Sequence, residues 1–148
     1  MRTNGRVNWL ILVGVVVCAL IAGLFLLGRN SPTSVAGDFM LALAKGDSTK
    51  LADLSYMEGV PKEEIKKKWD FATKEAGPYY RFIWLLGNES VSGPDHASVS
   101  MKMVRNAGTD PMTYEEKFEL PMVKVKGEWL VDVAAIQRDM YPAMPRRH

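Results

Sequence analysis

The sequence predicts an α+β domain carried behind a single N-terminal membrane-spanning helix. Three observations carry that prediction. Residues 9–28, WLILVGVVVCALIAGLFLLG, hold no charged side chain. Residues 31–78 place apolar side chains at helical spacing, and residues 79–133 alternate with a period of two. Helices followed by strands is the order of an α+β fold.

A bilayer core about 30 Å thick needs roughly 20 apolar residues at about 1.5 Å each, and residues 9–28 supply that length. A cleaved secretory core is shorter and precedes a small-residue cleavage site. Here the run ends in Leu26, Leu27, Gly28 and Arg29. Lipid attachment at Cys18 would need a small residue before it and an end to the apolar run, but Val17 is bulky and residues 19–27 stay apolar. A retained anchor is therefore expected. Arg2, Arg6 and the amino terminus precede the span, and only Arg29 follows it before Lys45. The positive-inside rule then puts residues 1–8 in the cytoplasm and residues 29–148 on the periplasmic or extracytoplasmic side of the cytoplasmic (inner) membrane. Gly14, Cys18 and Ala22 recur every four residues, and Ala19 and Gly23 add a second small pair. Small residues at this spacing let another helix approach closely, so they form the predicted packing face of the span. Cys18 reads there as a small apolar residue.

Charge is informative once the chain is divided. Of 19 basic and 17 acidic residues, Arg2 and Arg6 precede the span and every acid follows it. The outer part is thus neutral, which argues against nucleic-acid binding, since that needs a basic patch. The chain's one cysteine lies in the span, so the outer domain has neither a disulfide nor a cysteine-based metal site. With His96 and His148 as the two histidines, no metal and no cofactor are expected.

The outer domain, residues 34–135 after a 29–33 linker, opens with Ser31 and Pro32 as a helix start. Val35, Ala36, Phe39, Met40 and Leu43 make its apolar stripe, and Gly46 is its C-terminal stop. Asp47 caps a short second helix carrying Leu51 and Leu54. PKEEIKKKWDFATKEAGP is a third helix with Ile65, Trp69, Ala72 and Ala76 inward, and its lysines pair with Glu63 and Glu64 on a solvated face. In YYRFIWLLGNESV, Tyr80, Phe82, Trp84 and Leu86 share one face, while Ile83 and Leu85 make the other face apolar enough to expect a cover there too. ASVSMKMVR turns Val99, Met101 and Met103 inward. In TYEEKFELPMVKV the apolar parity slips from Phe118 and Leu120 to Val123 and Val125, which predicts a bulge or bend at Pro121. A Lys126–Gly127 turn leads into EWLVDV with Trp129, Val131 and Val133 inward, completing an antiparallel meander. The domain is followed by a tail, residues 136–148, whose end YPAMPRRH has two prolines and is expected to be extended or disordered.

FMLALAKGD, LADL, a third helix and strands ending in VKVKGEWLVDV resemble the nuclear transport factor two-like superfamily over residues 33–135. The layout is similar to its small membrane-anchored bacterial members, among them assembly components of type IV secretion machines. The resemblance implies a cystatin-like roll: about three helices, then a curved four-stranded antiparallel sheet enclosing a conical cavity. Ketosteroid isomerase and scytalone dehydratase use that cavity for catalysis, while other relatives use it for binding or bury a surface in an oligomer. Fold therefore does not give function.

Catalysis in such a cavity needs an inward carboxylate or histidine. Asp38 lies off the main helical stripe, Asp132 alternates against Trp129, Val131 and Val133, and His96 falls in a turn. Glu116 shares parity with Phe118 and is the one acid expected to face inward, and no second acid or base joins it. Tyr80, Phe82, Trp84, Met101, Met103, Phe118 and Trp129 are the candidate pocket lining. The expected function is a non-catalytic accessory or assembly subunit of a secretory, respiratory or photosynthetic membrane complex. It would grip partners through the span and the outer domain, with a homodimer through the sheet as a further mode of association. The alternatives are a tethered binding module for a small apolar ligand and an isomerase- or dehydratase-like enzyme using Glu116.

Overall fold

The computed structural model describes residues 13–18, 20, 31–76, 82–105, 115–141 and 144–145. The chain divides into two compact units, Met1–Ser31 and Pro32–His148. In the first, residues 13–18 and 20 are helical and exposed, including Val15, Val16, Val17, Leu20 and Cys18. Among the described residues no helix is long and apolar enough to cross a membrane. Most of the predicted span lies outside them, including Ala19, Ala22 and Gly23 of its packing face.

The second unit is an α+β roll. Helix α1 (Pro32–Lys45) buries Val35, Ala36, Phe39, Met40, Ala42 and Leu43, the stripe the sequence predicts. It stops because Gly46 takes φ 67°, a left-handed conformation that glycine adopts without a Cβ penalty. Asp47 N–H then donates back to Ala42 C=O at 3.0 Å, closing the last turn. Asp47 also caps α2 (Ser48–Leu54), its carboxylate accepting from Lys50 N–H at 2.9 Å. Helix α3 (Lys62–Ala76) buries Ile65, Trp69 and Ala72 against the other two helices. The Trp69 ring meets Phe39 edge to face at 5.7 Å.

The sheet has five strands in the order β1-β5-β4-β3-β2. They are β1 (Ser55–Tyr56), β2 (Phe82–Val91), β3 (His96–Arg105), β4 (Glu115–Val125) and β5 (Glu128–Asp132). Four form the predicted meander. The fifth, β1, is two residues long and pairs parallel with β5, so it has too few residues to show any periodicity. Lys126 and Gly127 both have positive φ, 51° and 84°, giving the tight two-residue hairpin between β4 and β5.

Two sequence expectations are corrected. Pairing of β3 with β4 runs without a register shift through Ser98↔Pro121 and Ala97↔Met122. Met122, not Val123, is the core residue beyond the proline and keeps the parity of Phe118 and Leu120. Pro121 is tolerated just short of the β4–β5 ladder, which begins at Met122. The irregularity lies instead in β2, between Leu86 and Glu89. Past it, Glu89 accepts hydrogen bonds from Thr33 N–H and Thr33 Oγ1, at 3.2 and 2.7 Å, tying β2 to the start of α1. The tail is also packed where it is described: Tyr141 and Met144 of YPAMPRRH are 3% and 9% exposed and, with Ile136 and Met140 before them, belong to the main core cluster. Burial of these four apolar side chains orders the described part of the segment.

Candidate functional site

The sheet offers two faces. Toward the helices point Met101, Met103, Phe118 and Trp129, all buried, with Phe82, Trp84 and Leu86 partly buried against the same core. These are the residues the alternation of β2 to β5 predicts; Tyr80 lies outside the described residues. A Cβ placed on Gly37 of α1 would meet Leu86 Cδ1 at 3.5 Å, so the helix rests on this side of β2. Phe39, Met40, Trp69 and Met140, each 0% exposed, occupy the interior. The described side chains of this face are packed into the core or against it.

Glu116 does share that face, since it pairs across the sheet with Met103. Its side chain is 43% exposed and its Oε2 accepts from Arg105 Nε at 2.7 Å. Arg105, the last residue of β3, also lies 5.9 Å from the Phe118 ring centroid. Sequence reasoning did not single out Arg105, because a strand-end arginine carries no signal of the acid or the ring it will meet. Asp38 is exposed, off the buried stripe as expected, and His96, expected in a turn, is instead the exposed first residue of β3. Asp132, expected to point out, is half-buried, and its Oδ1 is enclosed without a hydrogen-bond partner. It stands alone: among the described residues no three His, Cys, Asp or Glu side chains could hold a metal ion.

The opposite face is open. Ile83 and Leu85 of β2 are 58% and 65% exposed, so the cover expected for them is not supplied within the described chain. Beside them lies a half-open depression of about 750 Å³. Its floor is the cross-strand row Leu86, Met101 and Phe118; its walls are the flanking rows Leu85, Lys102, Lys117 and Gly87, Ser100, Glu119, with Gln137 at one side. Since Met101 and Phe118 are buried on the helix side, their backbones form the floor and the hollow opens outward. Gly87 makes the space, because a Cβ there would collide with Ser100 Oγ. Lys102 pairs with Glu115 at 2.8 Å on the same surface. That pairing holds the Glu115 carboxyl below its usual value of 4.5, through the Lys102 hydrogen bond first and its charge second. This face thus sets the exposed apolar Ile83 and Leu85 beside a hollow whose walls carry charges of both signs.

No protein-family model matches the sequence, and no curated protein does. Solved structures do resemble the chain. One is a domain of unknown function with a cystatin-like fold from Nostoc punctiforme PCC 73102, 11% identical at a TM-score of 0.48, over 68% of this chain and 70% of that one. A second is a nuclear transport factor two-like protein of unknown function from Shewanella oneidensis MR-1, 11% identical at 0.46, over 66% and 88%. A third is a ketosteroid isomerase-like protein from Erwinia carotovora atroseptica SCRI1043, 11% identical at 0.43, over 66% and 85%. The Nostoc and Shewanella proteins bear the cystatin-like and nuclear transport factor two-like names. At such identities no catalytic residue passes from them to this chain.

Proposed function

We propose that the protein is a non-catalytic, single-pass accessory or assembly subunit of a cytoplasmic-membrane complex. Its N-terminal helix anchors it, and its extracytoplasmic roll docks on partners through the open face of the sheet. The observation that carries this reading is the pair Ile83 and Leu85, 58% and 65% exposed side by side near the start of the edge strand β2. Exposed apolar patches with polar rims mark interaction surfaces. The rim is Lys102, Glu115, Lys117 and Glu119, whose charges balance. The apolar helical residues 13–18 and 20 are exposed in their own unit, a surface that lipid or a partner helix would cover. An acid–base role for Glu116 is disfavoured by its geometry: the side chain is 43% exposed and its Oε2 is taken by Arg105 Nε.

The test is co-purification of the C-terminally tagged full-length protein from mild detergent. Wild type is expected to bring down a defined membrane complex in stoichiometric amount. Ile83→Asp with Leu85→Asp is expected to lower recovery of that complex at least tenfold through the domain, and Gly14→Leu with Ala22→Leu to do so through the span. Protein that runs alone, or variants that retain the complex, would end the subunit reading. The outer depression with a bound small apolar molecule would then be the remaining site.

A further inference from the structure

Strand β2 is the last strand of the sheet, and among the described residues nothing pairs with its far side. Natural sheets blunt such an edge with a short strand, a lysine, a proline or a bulge. The opposite edge follows that rule, since β1 is two residues long. The first half of β2 does not. Residues 82–86 read FIWLL, all apolar, with neither charge nor proline. The register irregularity comes only after Leu86.

The hairpin with β3 shows which main-chain groups of this stretch are free. Ser92 N–H donates to His96 C=O at 3.0 Å. Bonding positions alternate along an antiparallel strand, so the even-numbered residues of β3, from His96 to Val104, face β2. Ile83 and Leu85 stand opposite Val104 and Lys102, and their N–H and C=O groups are spent on β3. Those of Phe82, Trp84 and Leu86 therefore point out along the edge. The side chains of Ile83 and Leu85 are 58% and 65% exposed on the outer face.

The stretch is self-complementary. Set antiparallel to a second copy about Trp84, it places Trp84 opposite the second copy's Trp84, Phe82 opposite its Leu86 and Ile83 opposite its Leu85. The first two kinds of pair exchange the free main-chain bonds. The third is a non-bonded pair, whose side chains come closest, so each exposed residue covers the other. No charge enters the seam, because Glu89 lies past the irregularity and is held by Thr33. Residue i meeting j while j meets i is the mark of a two-fold interface.

We propose that two copies of this chain join edge to edge through residues 82–86, making one sheet continuous across both. The outer faces meet at the seam and stay open, so the pairing does not depend on what docks there. The seam is short, and it comes apart on dilution.

The test uses the full-length protein in detergent micelles, with Cys18→Ser as background. Chains carrying Ile83→Cys and chains carrying Leu85→Cys, differently tagged, are mixed and oxidised. Opposed Cα atoms about 4.5 Å apart suit a disulfide, whereas like positions lie on the diagonal at about 7–8 Å. Unlike pairs are expected to exceed like pairs several-fold. Ile83→Lys and Leu85→Glu are each expected to sediment as monomers at concentrations where wild type dimerises. Their mixture is expected to regain the dimer, since the two new charges then face each other. Both positions are exposed, so the circular dichroism of each variant should match wild type. Equal like and unlike cross-linking would indicate a face-to-face pair and overturn the proposal. So would wild type that stays monomeric at every concentration, a mixture that does not reassociate, or cysteines that in native membranes cross-link to a different protein instead.

Discussion

Ser55 is the buried polar residue of the core, at 3% exposure, and its hydroxyl is fully used. It accepts from Trp69 Nε1 at 2.9 Å and donates to Leu51 C=O at 2.6 Å. Indole N–H is a donor with no other use, so Ser55→Ala strands it in an apolar interior. The expected cost is about 1–3 kcal/mol in chemical denaturation. On a Trp69→Phe background, where the orphaned donor is gone, the same change should cost clearly less; an equal cost would show that the bond is not the reason. Glu115 gives a second residue-scale prediction. Its folded-state pKa is lowered, so the Lys102 pairing adds stability above the unfolded value of 4.5 and loses it as pH falls through the lower folded value. A carboxyl titration by nuclear magnetic resonance should place Glu115 below 4.5, and Lys102→Met should move it back up.

Among the elements, β2 carries the register irregularity of the sheet. Gly87 sits there, between Leu86 and Glu89, where a Cβ would collide with Ser100 Oγ. Ser100 Oγ donates to Asn88 C=O at 3.0 Å, so a Cβ at residue 87 must push that hydroxyl off its acceptor. Gly87→Ala is expected to cost about 1 kcal/mol, the net worth of an ordinary hydrogen bond. Beside Ser100→Ala the cost should vanish; persistence in the double variant would move the strain into the backbone. At the end of α1, Gly46→Ala forces a side chain into φ 67°. It should lower stability by roughly 1 kcal/mol in thermal unfolding, and an unchanged midpoint would mean that the helix end can reshape.

On the scale of the whole molecule, the inner face is saturated and the outer face is not. Ile83→Asp with Leu85→Asp should therefore leave the melting temperature of the isolated protein within a degree or two, because surface changes away from packed features fall within about ±0.5 kcal/mol. The same pair should abolish the proposed association. A large loss of stability instead would mean that the face is already covered within the chain, and docking would be the wrong account of it.

Much of the fold was legible because periodicity reports which side chains share a face. Phe39 and Trp69 on their helices, and Met101, Met103 and Phe118 on their strands, were placed inward by spacing alone, and the Gly46 and Asp47 stops were read from local backbone chemistry. The candidate site was less so. Parity put Glu116 on the inner face, yet nothing near it in sequence announces Arg105, 11 residues away on the neighbouring strand. Likewise Ile83 and Leu85 carried the pattern of a covered face, and only packing reveals that no described element lies over them.

The sequence by itself determined the α+β order, the inward stripes, the helix stops and the expectation of an apolar anchor, because these depend on residues within a turn or two of each other. Tertiary structure decided the fifth strand, the unbroken register through Pro121, the open outer face and the burial of the tail. Each of those depends on what lies opposite a residue in space. Alternation says that a strand has two faces; only the fold says which of them still lacks a partner.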